Sequence, residues 1–141
     1  EIYVNDIEDR STVLGGFNII NKSKAEIFEK CQIISIHTPL TELTENLFNK
    51  QVFEKMRKDS ILINTSRGGI VNENDLIWAL SNNQIGAAAI DVYETEPPTN
   101  KKLLELDNLI CTPHIGGNSK EAVINMGLSA IEHIRKFKLN S

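Results

Sequence analysis

Short apolar runs alternate with segments of helical periodicity along the 141-residue chain. We predict that these runs form β-strands: Ile2–Val4, Ile33–Ile36, Ile61–Ile63, Ala87–Ile90 and Leu109–Cys111. The hydrophobic residues within each run are continuous rather than alternating, which is typical of strands covered on both faces, as in a parallel sheet.

Residues that favour helix starts precede the segments with helical periodicity. Ser23, followed by Glu26 three residues later, forms a capping-box pattern. Asn49 and Asn72 are also N-cap candidates, and a short helical turn is expected around Leu103. Apolar residues at helical spacing predict a long final helix: Val123, Met126, Ala130, Ile134 and Phe137. We interpret most of this last stripe as core, with packing on a second subunit as the alternative.

Repetition of strand, helix and strand with short connections predicts an α/β fold with a doubly wound parallel sheet. In such a sheet, ligands bind outside the carboxyl ends of the strands. Small, acidic or catalytic residue types follow successive predicted strands: Asp6, His37–Pro39, Thr65–Gly68, Asp91 and His114–Gly117. This edge of the sheet is therefore the predicted site.

Composition narrows the class of protein. The formal net charge is −4, so neither nucleic acid nor an anionic membrane is an expected partner. No apolar run approaches the roughly 20 residues of a membrane span, and no metal site is predicted. Cys31 and Cys111 are interpreted as small buried hydrophobes of a reducing, cytoplasmic compartment.

Asp6 and Arg67 each have a functional and a structural interpretation. A carboxylate at Asp6, just past a strand, can accept hydrogen bonds from the hydroxyls of an adenosine ribose; the alternative is a turn or cap aspartate. A guanidinium at Arg67 can bind a carboxylate with two parallel hydrogen bonds. The alternative there is a surface arginine in a glycine turn.

His114 and Glu96 would each be unremarkable alone. A lone histidine is more often structural, and a glutamate in a proline-rich loop is ordinarily solvated. Together with Arg67 they supply an acid–base group, a carboxylate that orients it and a clamp for a substrate carboxylate. His37 is interpreted as a strand-end residue near a nucleotide, and His133 as an exposed helix position.

Several sequence blocks resemble the D-isomer-specific 2-hydroxyacid dehydrogenases. These blocks are His37–Thr41 (HTPLT), Asn64–Asn72 (NTSRGGIVN), Ala89–Pro97 (AIDVYETEP) and Thr112–Gly117 (TPHIGG). Their order and spacing also fit the family, and the resemblance extends roughly from Val4 to Ile134. Linked blocks in order are a much stronger signal than any one alone.

The resemblance implies an NAD-dependent oxidoreductase with a doubly wound, Rossmann-like domain. Arg67 would bind the carboxylate and C2 oxygen of the substrate, His114 would exchange a proton with that oxygen, and Glu96 would hold His114. Asp6 would hold the ribose and favours NAD over NADP, although the nearby Arg10 leaves this open. The predicted cofactor residues are Asp6, Thr38, Pro39, Thr65, Ser66, Arg67, Asp91, His114, Gly116 and Gly117.

Two features of the family are not found in this chain. The dinucleotide fingerprint G-x-G-x-x-G is absent, and so is the separate substrate domain. We therefore expect residues 1–141 to be a partial NAD-binding domain that lacks its first strand–helix unit. Alone, such a fragment should bind NAD poorly and turn over no substrate; the full-length protein is expected to be a homodimer.

The expected reaction is hydride transfer between NAD(H) and a D-2-hydroxy acid or its 2-oxo acid. The overall likeness is to phosphoglycerate dehydrogenases and to glyoxylate or hydroxypyruvate reductases. The alternative is a regulatory or corepressor-like module that binds NAD(H) without turnover. Formate dehydrogenases resemble this family but pair the histidine with glutamine, so Glu96 argues for a hydroxy acid as substrate. A third alternative, a purely structural α/β domain, would require the linked blocks to be a coincidence.

Overall fold

The computed structural model describes residues 1–8 and 19–139. Within these ranges, strands and helices alternate along most of the chain. In chain order they are β1 (Ile2–Val4), β2 (Ile19–Asn21), α1 (Lys24–Lys30), β3 (Ile33–Ile36), α2 (Lys50–Phe53), β4 (Ile61–Asn64), α3 (Glu73–Ser81), β5 (Ala87–Ile90), α4 (Lys101–Leu104), β6 (Leu109–Cys111) and α5 (Lys120–Leu139).

All strand pairs in these ranges are parallel. β1 pairs with β2, and β3, β4, β5 and β6 form a second sheet in sequence order. The predicted α/β class with parallel strands is confirmed. One strand, β2, was missed, because its apolar signal is only the pair Ile19–Ile20. The interpretation of residues 1–141 as a partial domain stays a prediction, and Arg10 lies outside the described residues.

The predicted helix caps are confirmed. The Glu26 amide donates to Ser23 Oγ, and Glu26 Oε2 in turn accepts from the Ser23 amide, which completes the capping box. Asn49 and Asn72 accept backbone N–H groups at the starts of α2 and α3. These side chains pair amides that the first turn of a helix leaves without intrahelical partners.

The core lies between the helices and one face of the four-stranded sheet. Buried helix residues such as Phe53 and Leu76 belong to the same cluster as Leu62 of β4. The prediction that both strand faces are covered is wrong: Ile33 is 60% exposed and Ile110 is 68% exposed. Burial alternates along β3 and β4 because the helices of this cluster pack against one face.

The final helix is long, as predicted, but its apolar stripe is not core. Val123, Met126, Ile134 and Phe137 are all more than half exposed, and Ala130 is also exposed. Helical spacing identifies an amphipathic face without identifying what covers it, so the core interpretation was wrong for the structure described. None of the described helices combines the length and apolarity needed to cross a membrane.

Both cysteines are free thiols, but they are half-buried rather than fully buried. Burial raises the pKa of both Cys31 and Cys111 above the ordinary thiol value. They sit at the edge of the core cluster, which explains why the sequence pattern overstated their burial.

Candidate active site

The turn after β4 is organised by a buried asparagine. Asn64 is 1% exposed, and its Oδ1 accepts hydrogen bonds from the Ser66 amide at 3.1 Å and the Ser66 hydroxyl at 2.9 Å. Its Nδ2 donates to the Arg67 carbonyl at 3.0 Å. One side chain therefore fixes the backbone that carries Ser66 and Arg67.

Arg67 leaves this turn with an exposed side chain. Its Nη1 donates to the Ser66 carbonyl at 2.6 Å, and the side chain lines an open cleft with Leu40, Asn46 and Glu94. Its guanidinium makes no hydrogen bond to another side chain of the described residues. The remaining N–H groups are available for an external acceptor such as a carboxylate.

Asp91 follows β5 and is 4% exposed. Its Oδ1 accepts the Thr112 hydroxyl and the Ile115 amide, and its Oδ2 accepts the Gly116 amide at 2.8 Å. Burial on its own raises the pKa of Asp91, but these hydrogen bonds outweigh burial and hold the pKa below its usual range. The carboxylate thus braces the loop that follows β6.

His114 lies in that loop with a φ of 52°, in the left-handed region that is uncommon for residues other than glycine. Its amide donates to the Thr112 carbonyl at 3.0 Å, which closes a tight turn at Pro113. Asp91 binds residues on both sides of His114. The surroundings therefore hold the histidine in a backbone conformation that costs energy.

Glu96 is brought to this histidine from the loop after β5. Its Oε2 lies 2.7 Å from His114 Nδ1, and its Oε1 accepts the Tyr93 amide at 3.2 Å. The hydrogen bond from His114, followed by that from Tyr93, lowers the pKa of Glu96. The hydrogen bond implied by the resemblance is present; the catalytic roles of both residues stay a prediction.

Because Nδ1 of His114 is engaged by a carboxylate, the pair favours the tautomer with a proton on Nδ1. Nε2 is then the nitrogen that can exchange a proton with a ligand. Histidine is well suited to general acid–base work near neutral pH. The arrangement is therefore chemically able to protonate or deprotonate an oxygen.

The predicted cofactor residues fall on different strand ends. Thr38 follows β3, and its Oγ1 is buried without a hydrogen-bond partner in the described part of the chain. Pro39 and Thr65 are exposed, as are Gly116 and Gly117. The Gly116 amide is already bonded to Asp91, so only other atoms of that glycine can face a ligand.

Asp6 follows β1 and lines a small cleft with Asn21 and Lys22. Its Oδ1 accepts the Glu8 amide at 3.1 Å, which is the turn interaction considered as the alternative. His37 at the end of β3 lies 2.8 Å from the Ser35 hydroxyl, and His133 is exposed on α5. In the part of the chain that the structure describes, no cluster of metal-ligating side chains is found.

Sequence reasoning did not single out several residues that build the site. Asn64 was quoted only within a block, although an asparagine that ends a strand before small polar residues is a known turn signal. Tyr93 donates its hydroxyl to the Thr112 carbonyl at 2.8 Å, and Thr112 itself binds Asp91. Tyr93 and Thr112 were likewise quoted only within blocks, and no local pattern indicates their partners, which are 19 and 21 residues away.

These features fit a bound dinucleotide. The unpartnered Thr38 hydroxyl is a buried polar atom that needs a hydrogen-bond partner. Asp6 lies two residues past the end of the parallel strand β1, where a carboxylate can meet ribose hydroxyls. Small or polar residues follow β3, β4, β5 and β6, so the residues present are suited to NAD.

Comparison with known proteins identifies a matching family. Residues 2–116 match the family described as D-isomer specific 2-hydroxyacid dehydrogenase, NAD binding domain. D-3-phosphoglycerate dehydrogenase of Bacillus subtilis is 39% identical over 92% of this chain and 24% of its own length. Hydroxypyruvate reductase of Thermotoga maritima is 41% identical over 78% of this chain and 37% of its own length.

A solved structure is also similar. The D-lactate dehydrogenase of Lactobacillus jensenii, determined with NAD+, superposes with a TM-score of 0.80 and 31% identity, over 89% of this chain and 42% of that chain. The chain thus spans less than half the length of these relatives. Since the family match covers most of the chain, this chain belongs to the NAD-binding domain family of the D-isomer-specific 2-hydroxyacid dehydrogenases.

Proposed function

We propose that this chain is the NAD-binding part of an oxidoreductase that interconverts a D-2-hydroxy acid and its 2-oxo acid. The observation that carries the proposal is the hydrogen-bonded pair of Glu96 and His114, with 2.7 Å between Oε2 and Nδ1. His114 lies on a turn braced by Asp91. A histidine held by a carboxylate is suited to proton transfer, which binding of the cofactor alone does not require.

In the proposed reaction, His114 works through Nε2. It donates a proton to the C2 oxygen of a 2-oxo acid during reduction and accepts the proton from the hydroxyl during oxidation. Glu96 fixes the ring and stabilises the imidazolium form, since its carboxylate stays ionised at neutral pH. Bound NAD(H) supplies or accepts the hydride.

Arg67 is the proposed substrate clamp. Its exposed guanidinium lies at the end of β4 on a backbone that Asn64 holds. A planar guanidinium can bind the substrate carboxylate through two parallel hydrogen bonds. This interaction would orient C2 of the substrate towards the proton donor.

The proposed cofactor residues are the ones identified from the sequence. Asp6 would hold the adenosine ribose; Thr38, Pro39, Thr65 and Ser66 would line the cofactor. Asp91, Gly116 and Gly117, together with Arg67 and His114, would lie near its reactive end. The buried, unpartnered Thr38 hydroxyl is the best support among them.

The proposed substrates are 3-phosphoglycerate or glyoxylate and hydroxypyruvate. The support comes from relatives, which include a D-3-phosphoglycerate dehydrogenase and a hydroxypyruvate reductase. A glyoxylate reductase from Paecilomyes thermophila is also structurally similar. All of these substrates share a carboxylate beside the reacting carbon, which is the group that Arg67 would bind.

We also propose a cytoplasmic homodimer. The two free thiols support a reducing compartment, and the exposed apolar residues of α5 support a subunit contact. Light scattering of the purified gene product and fractionation of its host cells test these two points. A monomer, or a secreted product, would contradict them.

The function is tested by NADH oxidation with the full gene product and 3-phosphohydroxypyruvate, hydroxypyruvate, glyoxylate and pyruvate. We expect one of these acids to be reduced and the His114→Ala variant to lose about 100-fold or more of that rate. A His133→Ala variant is the matched control and should keep the rate. NADH binding without reduction of any acid would instead support the regulatory module.

A further inference from the structure

Two glutamates outside the proposed catalytic set bind each other's backbone. The Glu73 amide donates to Glu94 Oε1 at 2.9 Å, and the Glu94 amide donates to Glu73 Oε1 at 2.8 Å. The residues are 21 positions apart, so the exchange links the start of α3 to the loop after β5. Each carboxylate satisfies the other residue's N–H.

One end of this link is anchored in the core. Glu73 is the first residue of α3, whose Leu76 and Leu80 are essentially buried. The N-terminus of α3 already has its own cap in Asn72. Glu94 therefore adds a partner for a first-turn amide and, in doing so, ties a loop to a rigid helix.

The other end lies among the proposed catalytic residues. Tyr93, the neighbour of Glu94, donates its amide to Glu96 and its hydroxyl to the Thr112 carbonyl. The Tyr93 carbonyl packs so closely on Gly68 that a Cβ there would overlap it. The segment Tyr93–Glu94 thus touches the backbone beside Arg67, the side chain of Glu96 and the turn of His114.

The arrangement places two carboxylates close together, with Glu73 half-buried and Glu94 exposed. Burial raises the pKa of Glu73; the hydrogen bond from the Glu94 amide opposes this rise, and the charge of the Glu94 carboxylate adds a smaller increase. No ion pair to either carboxylate is found in residues 1–8 and 19–139, so only N–H donors offset the repulsion. The N-terminus of α3 favours negative charge and is already capped by Asn72, so the distinctive contribution of the exchange is the link between two segments.

We propose that Glu73 and Glu94 form a reciprocal clamp that positions Glu96 against His114 and keeps the Arg67 turn in register with them. The inference rests on the proposed function, because it assigns a role in that same site. Both glutamates are positioning residues; neither touches substrate or cofactor in this assignment. The role depends on accepting an N–H and not on negative charge alone.

Substitutions at the two glutamates separate a role as hydrogen-bond acceptor from a role of negative charge. Glu94→Ala and Glu73→Ala remove one acceptor each, whereas Glu94→Gln and Glu73→Gln keep a carbonyl oxygen that can accept the same N–H. Glu54→Ala and Glu54→Gln are matched controls, because Glu54 is exposed at the end of α2 and its side chain makes no hydrogen bond in the described structure. Each variant is made in the full gene product.

The readouts are kcat, KM for the 2-oxo acid and the acid limb of the pH–rate profile. Glu96 is faced by His114, by Asp91 and by the Tyr93 amide, and its pKa is low mainly because of His114. If the clamp fails, this hydrogen bond loosens and the pKa of Glu96 rises towards its ordinary value. We expect both alanine variants to lose about 10-fold in kcat, to shift the acid limb to higher pH, and to be largely rescued by glutamine.

A wild-type acid limb in both alanine variants, or equal defects in the glutamine and alanine variants, would overturn the clamp. If the wild-type protein reduces no 2-oxo acid, the proposed function fails, and amide hydrogen exchange then tests the clamp. Removal of the clamp by Glu73→Ala or Glu94→Ala should speed exchange of the Tyr93 and Glu94 amides, whereas Glu54→Ala should leave their exchange rates unchanged. Unaltered exchange in Glu73→Ala would overturn the clamp independently of catalysis.

Discussion

Glu96 Oε2 lies 2.7 Å from His114 Nδ1, and the other oxygen of Glu96 accepts the Tyr93 amide. Both carboxylate oxygens are therefore engaged, which fixes the plane of the group facing the imidazole. This relationship joins a proline-rich loop to a strand end 18 residues later in the chain. It is the feature from which the proposed acid–base chemistry follows.

The first prediction concerns removal of the negative charge of Glu96. Glu96→Gln keeps the shape but no longer stabilises an imidazolium, so kcat for 2-oxo acid reduction should fall by about 100-fold. In the wild-type protein, the lowered pKa of Glu96 keeps the carboxylate ionised below the ordinary glutamate value of about 4.3. The acid limb assigned to Glu96 should therefore lie below that pH and vanish in the variant. Unchanged kcat in Glu96→Gln would contradict the assignment.

The second prediction concerns the brace at Asp91. Asp91→Ala leaves the amides of Ile115 and Gly116 without their acceptor, and we expect a loss of about 2–4 kcal/mol in the free energy of unfolding at pH 7. Urea unfolding of the variant and the wild type measures this difference. A loss well below 1 kcal/mol would show that the turn stands without the carboxylate.

The Asp91 carboxylate should also make the stability of the protein depend on pH. The folded-state pKa of Asp91 is lowered, so its contribution is fully present above the ordinary aspartate pKa of about 3.9 and is lost as pH falls through the lower, folded-state value. The stability difference between wild type and Asp91→Ala should therefore shrink below about pH 4. A difference that stays constant down to pH 2 would contradict the assigned pKa.

The third prediction concerns Gly68. A methyl group at this position would overlap the Tyr93 carbonyl, so Gly68→Ala should displace the Arg67 turn and cost about 3 kcal/mol of stability. Gly127→Ala is the control, because a Cβ there meets no atom within 4 Å and alanine favours the helix. Thermal unfolding of both variants tests the contrast. A Gly68→Ala protein as stable as the control would mean that the turn does not need this close approach.

The fourth prediction concerns Arg67. Arg67→Lys keeps the positive charge but loses the two parallel hydrogen bonds, so kcat/KM for the 2-oxo acid should fall by about 10- to 100-fold. KM for NADH should change little if the guanidinium acts mainly on the substrate. Steady-state kinetics with each reactant varied in turn gives the comparison. A defect confined to NADH would reassign Arg67 to cofactor binding alone.

Local signals explain what the sequence could predict. The caps at Ser23, Asn49 and Asn72 depend on residues within one helical turn, and all three are present in the structure. Arg67, Asp91 and His114 come shortly after β4, β5 and β6, and the expectation that they share a site rests on the rule that ligands bind at the carboxyl edge of a parallel sheet. These features need no knowledge of distant contacts.

The missed features depend on long-range contacts. The exchange between Glu73 and Glu94 and the hydrogen bond from Tyr93 to Thr112 join residues about 20 positions apart, so no local pattern marks them. The stripe on α5 shows the converse error: its spacing was interpreted correctly as one helix face, but Met126 and Phe137 are exposed. Periodicity defines a face, whereas burial depends on what packs against it.

The central claim is hydride transfer to C2 of a 2-oxo acid, and isotope transfer tests it most directly. The full gene product is given NADH that carries deuterium at the reactive C4 position, together with the 2-oxo acid that it reduces best. We predict a 2-hydroxy acid that bears the deuterium at C2 and has the D configuration. An L product, a product without deuterium at C2, or no reduction of any 2-oxo acid would contradict the account.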